Sequence, residues 1–222
     1  MTVLGFAGLF SALLIICSPR IPNRVGDIDY LLPGGLFGVA LSVSLWWRKI
    51  LKGLWKVLAI TAAASIAFPI AAILCVGFEY FGPWPLHSPG KGFGDLSNAA
   101  LFVGGTVGSF LICIAVLRLV RPGPRWTRIL DEALLWSLVG GVLSVVGWNL
   151  GPWLGMALWR MQHSLNLTLP GDRFEYALVQ GRAGGDSLLL VWQMGMGLFL
   201  GFELDGQQFG EQREKTKTST PG

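Results

Sequence analysis

Long apolar stretches separated by short polar connections dominate the chain. A hydrocarbon core about 30 Å thick is crossed by roughly 20 apolar helical residues, within a range of ~17 to 25. Six stretches fit: Thr2 to Ser18, Tyr30 to Trp47, Val57 to Phe78, Ala99 to Val120, Ala133 to Leu150 and Ser187 to Leu204. The pattern predicts an all-α fold, a polytopic membrane helix bundle with six transmembrane helices arranged as three hairpins. It occupies residues 1–205, and a disordered polar cytoplasmic tail follows over 206–222.

Three local features qualify that layout. Pro69 lies inside the third stretch, where it removes a backbone donor and predicts a kink, tolerated in lipid where neighbouring helices cover it. After Pro152 the run Trp153 to Trp159 stays apolar and then meets Arg160, Gln162 and His163, which predicts an interfacial helix along the outer surface. A short re-entrant segment is the alternative. No Lys or Arg precedes the first stretch, no A-x-A-like site ends it, and Ile16 before Cys17 does not suit lipoprotein cleavage. It therefore reads as a first spanning helix rather than a leader.

Composition agrees with this picture. The chain of 222 residues is 52% hydrophobic and 14% charged, with a mean hydropathy of +0.57, values suited to lipid rather than to a soluble domain. Its 31 glycines and 10 tryptophans fit as well, since Gly is common in membrane helices and Trp collects at headgroup level.

The net charge of +4 does not mark a nucleic-acid binder, because the basic residues fall between apolar runs instead of on one face. Arg48, Lys49, Lys52 and Lys56 form one cluster, and Arg118, Arg121, Arg125 and Arg128 another. Short, strongly basic connections belong on the cytoplasmic side. With the tail carrying Arg213, Lys215 and Lys217, alternation over six spans puts both termini in the cytoplasm of a cell (inner) membrane. Arg20 and Arg24 in the first outer loop run against the rule, partly offset by Asp27 and Asp29. Trp46, Trp47, Trp55 and Trp126 then mark the inner interface, and Trp84, Trp153 and Trp159 the outer one.

A weak repeat runs through the hairpins. The outer loops contain NRVGD ending at Asp27, GKGFGD ending at Asp95 and GRAGGD ending at Asp186, each followed in the next stretch by a glycine, Gly35, Gly104 and Gly195. VGFEYFGPW from Val76 matches VGWNLGPW from Val146, aligning Glu79 with Asn149. The plain explanation is that Asp caps helix starts. Asp27, Asp95 and Asp186 are therefore read as repeat-related helix caps.

Candidate chemistry is sparse. Charged groups are nearly absent from mid-span, where they would point to function. Asn149, Gln193 and Glu79 are the polar groups that could line a path, with interhelical hydrogen bonding as the simpler explanation. His87 and His163 occupy matching outer positions and could hold a metal with Glu79 or Asp95, although they lack close ligand spacing; no metal and no cofactor are assigned. Cys17, Cys75 and Cys113 read as packing thiols. The glycine runs allow close helix packing, and none carries the Lys-Ser or Lys-Thr pair of a phosphate loop. Asp131 and Glu132 open the fifth stretch beside Arg125 and Arg128, a structural pairing.

The expected function is a non-catalytic membrane subunit or scaffold, with the lipid bilayer and other membrane subunits as expected partners. The alternative is a small-solute or ion transporter or channel running between the hairpins. A membrane enzyme using His87 and His163 ranks last. A path requires Asn149 or Gln193 in a water-accessible cavity; a scaffold requires them bonded helix to helix.

Overall fold

The computed structural model describes residues 2–17, 28–82, 96–121, 123, 126–164, 187–202 and 204. Among these residues there are no strands; the helices are α1 (Thr2–Cys17), α2 (Ile28–Trp47), α3 (Leu54–Phe81), α4 (Asn98–Val120), α5 (Trp126–Ser164) and α6 (Ser187–Phe202). Asp27, Asp95, Asp186, His87 and the tail lie outside the described residues, as does the side chain of His163.

Three helical segments are long and apolar enough to cross a membrane: Leu54–Phe81, Asn98–Val120 and Trp126–Gly151. The expectation of six such helices is met by three. The other three carry shorter apolar stretches, Val3–Leu14, Leu31–Trp47 and Ser187–Phe202. A 16-residue helix such as α1 rises ~24 Å at 1.5 Å per residue, less than the ~30 Å of a typical hydrocarbon core.

The fifth helix departs most from expectation. No separate interfacial helix follows Pro152; α5 runs unbroken over 39 residues from Trp126 to Ser164. An internal proline forfeits one hydrogen bond and displaces one carbonyl, which bends a helix more readily than it ends one. The start is earlier than the apolar stretch too. Arg128 and Glu132 pair one helical turn apart, so this charged segment is itself helical. α3 likewise continues through Pro69.

The connections are specified locally. α2 ends in a Schellman turn: the Ile50 amide donates to the Leu45 carbonyl (3.0 Å) and the Lys49 amide to Trp46 (2.9 Å). Lys49 holds the left-handed conformation, φ 59°, that glycine usually supplies. Leu51 then enters the core. At the start of α4 the Ser97 hydroxyl accepts from the Ala100 amide at 3.2 Å, an ordinary N-cap.

Each helix packs against its sequence neighbour from α1 to α5, and the seams are built on small residues. A β-carbon on Gly34 of α2 would run into the backbone of Ala64 in α3, and one on Gly104 of α4 into Cys75. Between α4 and α5 the pattern is reciprocal. Gly105 faces Ser144 and the Gly140 carbonyl, while Gly140 faces Ser109 and the Gly105 carbonyl. α6 packs on α5 through Gly147 against Leu188 and through Trp136 edge-on to Phe199, ring centroids 5.2 Å apart.

α6 also closes the arrangement onto α1, where Gly8 meets the Gln193 backbone and Gly197 meets Leu4. Every one of these seams is antiparallel. Inside the resulting ring, Trp192 and Met196 of α6 join Phe37, Leu41, Ile60, Ile112 and Val116 in one buried core. The outer faces remain apolar and exposed, with Phe6, Phe10, Leu58, Ile66, Ile73 and Leu135 among them. In the second and third hairpins Gly104 and Gly195 both face the first helix of their own hairpin, through Cys75 and Leu143; Gly35 faces Ser65 of the next hairpin instead.

Candidate functional site

Gln193, halfway along α6, is fully enclosed, as are Ser42 and Ser109 among the described residues. A primary amide left unpaired in an apolar interior would cost a few kcal/mol, ~1 to 3 on mutational scales. Neighbouring helices satisfy it. Its Nε2 donates to the Pro33 carbonyl of α2 at 3.2 Å, and its Oε1 accepts from the Ser11 hydroxyl of α1 at 2.7 Å. The Gly8 carbonyl, 2.9 Å from Ser11 Oγ, is a second acceptor for that same proton. Gly8 permits this contact because its α-carbon lies against the Gln193 backbone.

One residue earlier, the Trp192 indole donates to Ser109 Oγ of α4 at 3.1 Å and lies against Phe37 of α2, centroids 5.6 Å apart. Two consecutive side chains of α6 therefore bond to α1, α2 and α4. Ser187, at the first turn of α6, adds a bond to the Gly147 carbonyl of α5 at 2.6 Å.

A second polar junction surrounds the start of α4. Glu79 of α3 is buried and accepts from the Ser97 amide at 2.9 Å, setting its negative charge beside the positive end of the α4 dipole. From the other side, Asn149 of α5 donates to Asn98 Oδ1 at 3.0 Å and to its own helix at Val145 O, 2.8 Å. Glu79 and Asn149, aligned in the sequence repeat, thus converge on one helix terminus. They do so from opposite neighbours.

The opposite end of α4 carries the basic residues. Glu132 of α5 accepts from Arg121 and from Arg128 Nε at 3.1 Å. Arg118 lies 4.7 Å from the Trp126 ring centroid. Lys56 of α3 donates to the Leu119 carbonyl at 2.8 Å, so the α2–α3 and α4–α5 connections share one end of the bundle.

The structure thus separates the proposed path residues: Gln193 is enclosed at the centre, and Glu79 and Asn149 sit at the α4 start. Gln193 and Asn149 both bond from helix to helix. Among the described residues no three His, Cys, Asp or Glu side chains gather as a metal site. Cys75 and Cys113 are buried free thiols. Sequence reasoning overlooked Ser11, Pro33 and Trp192. Each is a donor or acceptor in an apolar run, a signal that a partner is needed without saying which one. No family model, curated protein or solved structure matches the chain.

Proposed function

We propose that this chain is a six-span integral protein of the cell (inner) membrane with both termini cytoplasmic, acting as a non-catalytic membrane subunit or scaffold. The observation that carries the reading is the fate of two amides, Gln193 enclosed in the bundle and Asn149 exposed at the start of α4. Gln193 bonds α6 to α1 and α2, and Asn149 bonds α5 to α4. Interhelical bonds of this kind, worth ~0.6 to 2 kcal/mol each in membranes, join the helices instead of facing a solute. The glycine seams add to this, since close backbone approach favours a bundle held in one arrangement.

Six spans are supported by position as well as hydropathy. α6 touches α1, α2, α4 and α5, so it shares the depth of the long apolar helices around it. Short spans are accommodated by local thinning of the bilayer and by snorkelling at modest cost. The exposed Trp46, Trp47, Trp55 and Trp126 at the basic end, and exposed Trp153 on α5, suit two aromatic belts.

Purification from native membranes in mild detergent tests the proposal. A stoichiometric partner protein is expected, and a monodisperse chain that always purifies alone argues against it. Solute flux through proteoliposomes that disappears with Gln193→Leu would replace the scaffold with the transport alternative. Topology is checked with Lys52→Cys. An impermeant maleimide is expected to label it only after permeabilisation, and labelling in intact cells overturns the orientation.

A further inference from the structure

Among the described residues, Lys52, Lys56 and Arg118 lie together at the end where α3 begins and α4 ends. Lys56 is held by a carbonyl, Leu119 O at 2.8 Å, with its ammonium 5.9 Å from the Trp55 ring centroid. Arg118, one residue before Leu119, lies over Trp126 at 4.7 Å. Both cations are positioned by neutral groups, so their full charges persist. Lys52 is exposed in the connection leading into α3. Of the two acids described at this end, Glu132 is engaged by Arg121 and Arg128; the other, Asp131, is exposed.

Along α3 from Lys52, past Trp55, Leu58 is exposed and apolar. The surface therefore offers positive charge, then exposed indoles at Trp55 and Trp126, then an apolar side chain. A phospholipid has the same order: phosphate, glycerol interface, acyl chain. A nucleic acid or acidic peptide would match only the charge.

We propose that Lys52, Lys56 and Arg118, placed together where α3 begins and α4 ends, seat the phosphate of an anionic phospholipid, with Trp55 and Trp126 beside it and Leu58 towards its acyl chains. The inference rests on the membrane reading above. Juxtamembrane cations attract anionic headgroups additively, and basic pockets between helices on the cytoplasmic side select them.

The test titrates the full-length protein in neutral detergent with phosphatidylglycerol, phosphatidylcholine or inorganic phosphate. Lipid retained in native mass spectra and the thermal midpoint are the readouts. Phosphatidylglycerol is expected to bind and raise the midpoint; phosphatidylcholine and free phosphate at equal concentration are not. The triple variant Lys52→Gln, Lys56→Gln, Arg118→Gln should bind phosphatidylglycerol about 100-fold more weakly, given the energy per cation near a charged leaflet. A charge-matched tail variant, Arg213→Gln, Lys215→Gln, Lys217→Gln, should bind as the parent does. If the triple variant does not fold, the exposed Lys52→Gln alone decides, with about 5-fold weaker binding expected. Equal binding of both lipids, an unaffected site variant, an equal loss in the tail variant, or an equal shift with free phosphate overturns the site. A chain that stays dispersed without detergent or lipid instead overturns the membrane reading beneath it.

Discussion

Where α4 crosses α5, Gly105 and Gly140 face the side chains of Ser144 and Ser109; where α6 meets α1, Gly8 and Gly197 face the backbone of Gln193 and Leu4. The first seam joins helices adjacent in sequence, and the serine side chains in it can be trimmed, although the carbonyls of Gly140 and Gly105 also face it. The second joins the two ends of the fold, and at Gly8 and Gly197 it offers no side chain to trim. Its amide, Gln193, is enclosed and bonds α1 and α2, whereas the amide of the first seam, Asn149, bonds Asn98 at an exposed helix start. Both seams thus combine shape with directional bonds, but only the closing one holds its bonding amide fully enclosed.

Gly8→Ala gives the largest expected effect. A β-carbon there comes within 2.6 Å of the Gln193 carbonyl carbon, and overpacking against backbone costs about 3 kcal/mol, the upper part of the usual range. A large fall in thermal midpoint in detergent is expected, with no rescue from trimming side chains nearby. An unchanged midpoint would mean that the α6–α1 closure is absent from the protein.

Gly140→Ala comes next, at about 2 kcal/mol, because the added carbon meets Ser109 Cβ and that obstacle is removable. Combining it with Ser109→Gly should recover part of the midpoint despite losing the Trp192 bond. A double variant no better than Gly140→Ala would show that the α4–α5 seam is as unyielding as the closing one.

Gln193→Leu probes the directional part. It should cost about 1 kcal/mol, and a cycle with Ser11→Ala should give a coupling near 0.6 kcal/mol, the scale of interhelical bonds in membranes. Zero coupling breaks the contrast between the seams.

Lys49→Gly, remote from both seams, has the smallest expected effect and the opposite sign. Relief of the left-handed lysine is partly offset by the entropy of a glycine in the unfolded chain, leaving about 0.5 kcal/mol of stabilisation. Thermal melts in one detergent check it. A decrease would show that the Lys49 side chain contributes more than its backbone strain removes.

Much of the helical layout was legible from single residues. Trp47 and Val120 were placed as helix ends, and the structure puts them there, because dense charge and a glycine follow Trp47 and charge, proline and glycine follow Val120. The fifth helix was misread because an interfacial helix was set apart after Pro152 and the basic connection was run as far as Arg128. An internal proline and an i, i+4 ion pair are both compatible with a continuing helix. The pairing of acids with arginines near the start of α5 was foreseen in kind. The partner of Glu132 included Arg121, across the connection, which spacing along one helix does not show.

Hydropathy belongs to each residue singly, so the sequence alone determined that the chain is helical, where most of its helices lie and where its basic charge collects. Partner choice belongs to pairs. Glycines are numerous enough to suit many seams, and an amide in an apolar run needs an acceptor without naming one. Only the tertiary structure decided that α6 closes onto α1, that Gln193 binds Ser11 and Pro33, and that Glu79 and Asn149 meet at the start of α4. Close packing admits one mutual arrangement of these surfaces, and that arrangement is a property of all six helices together.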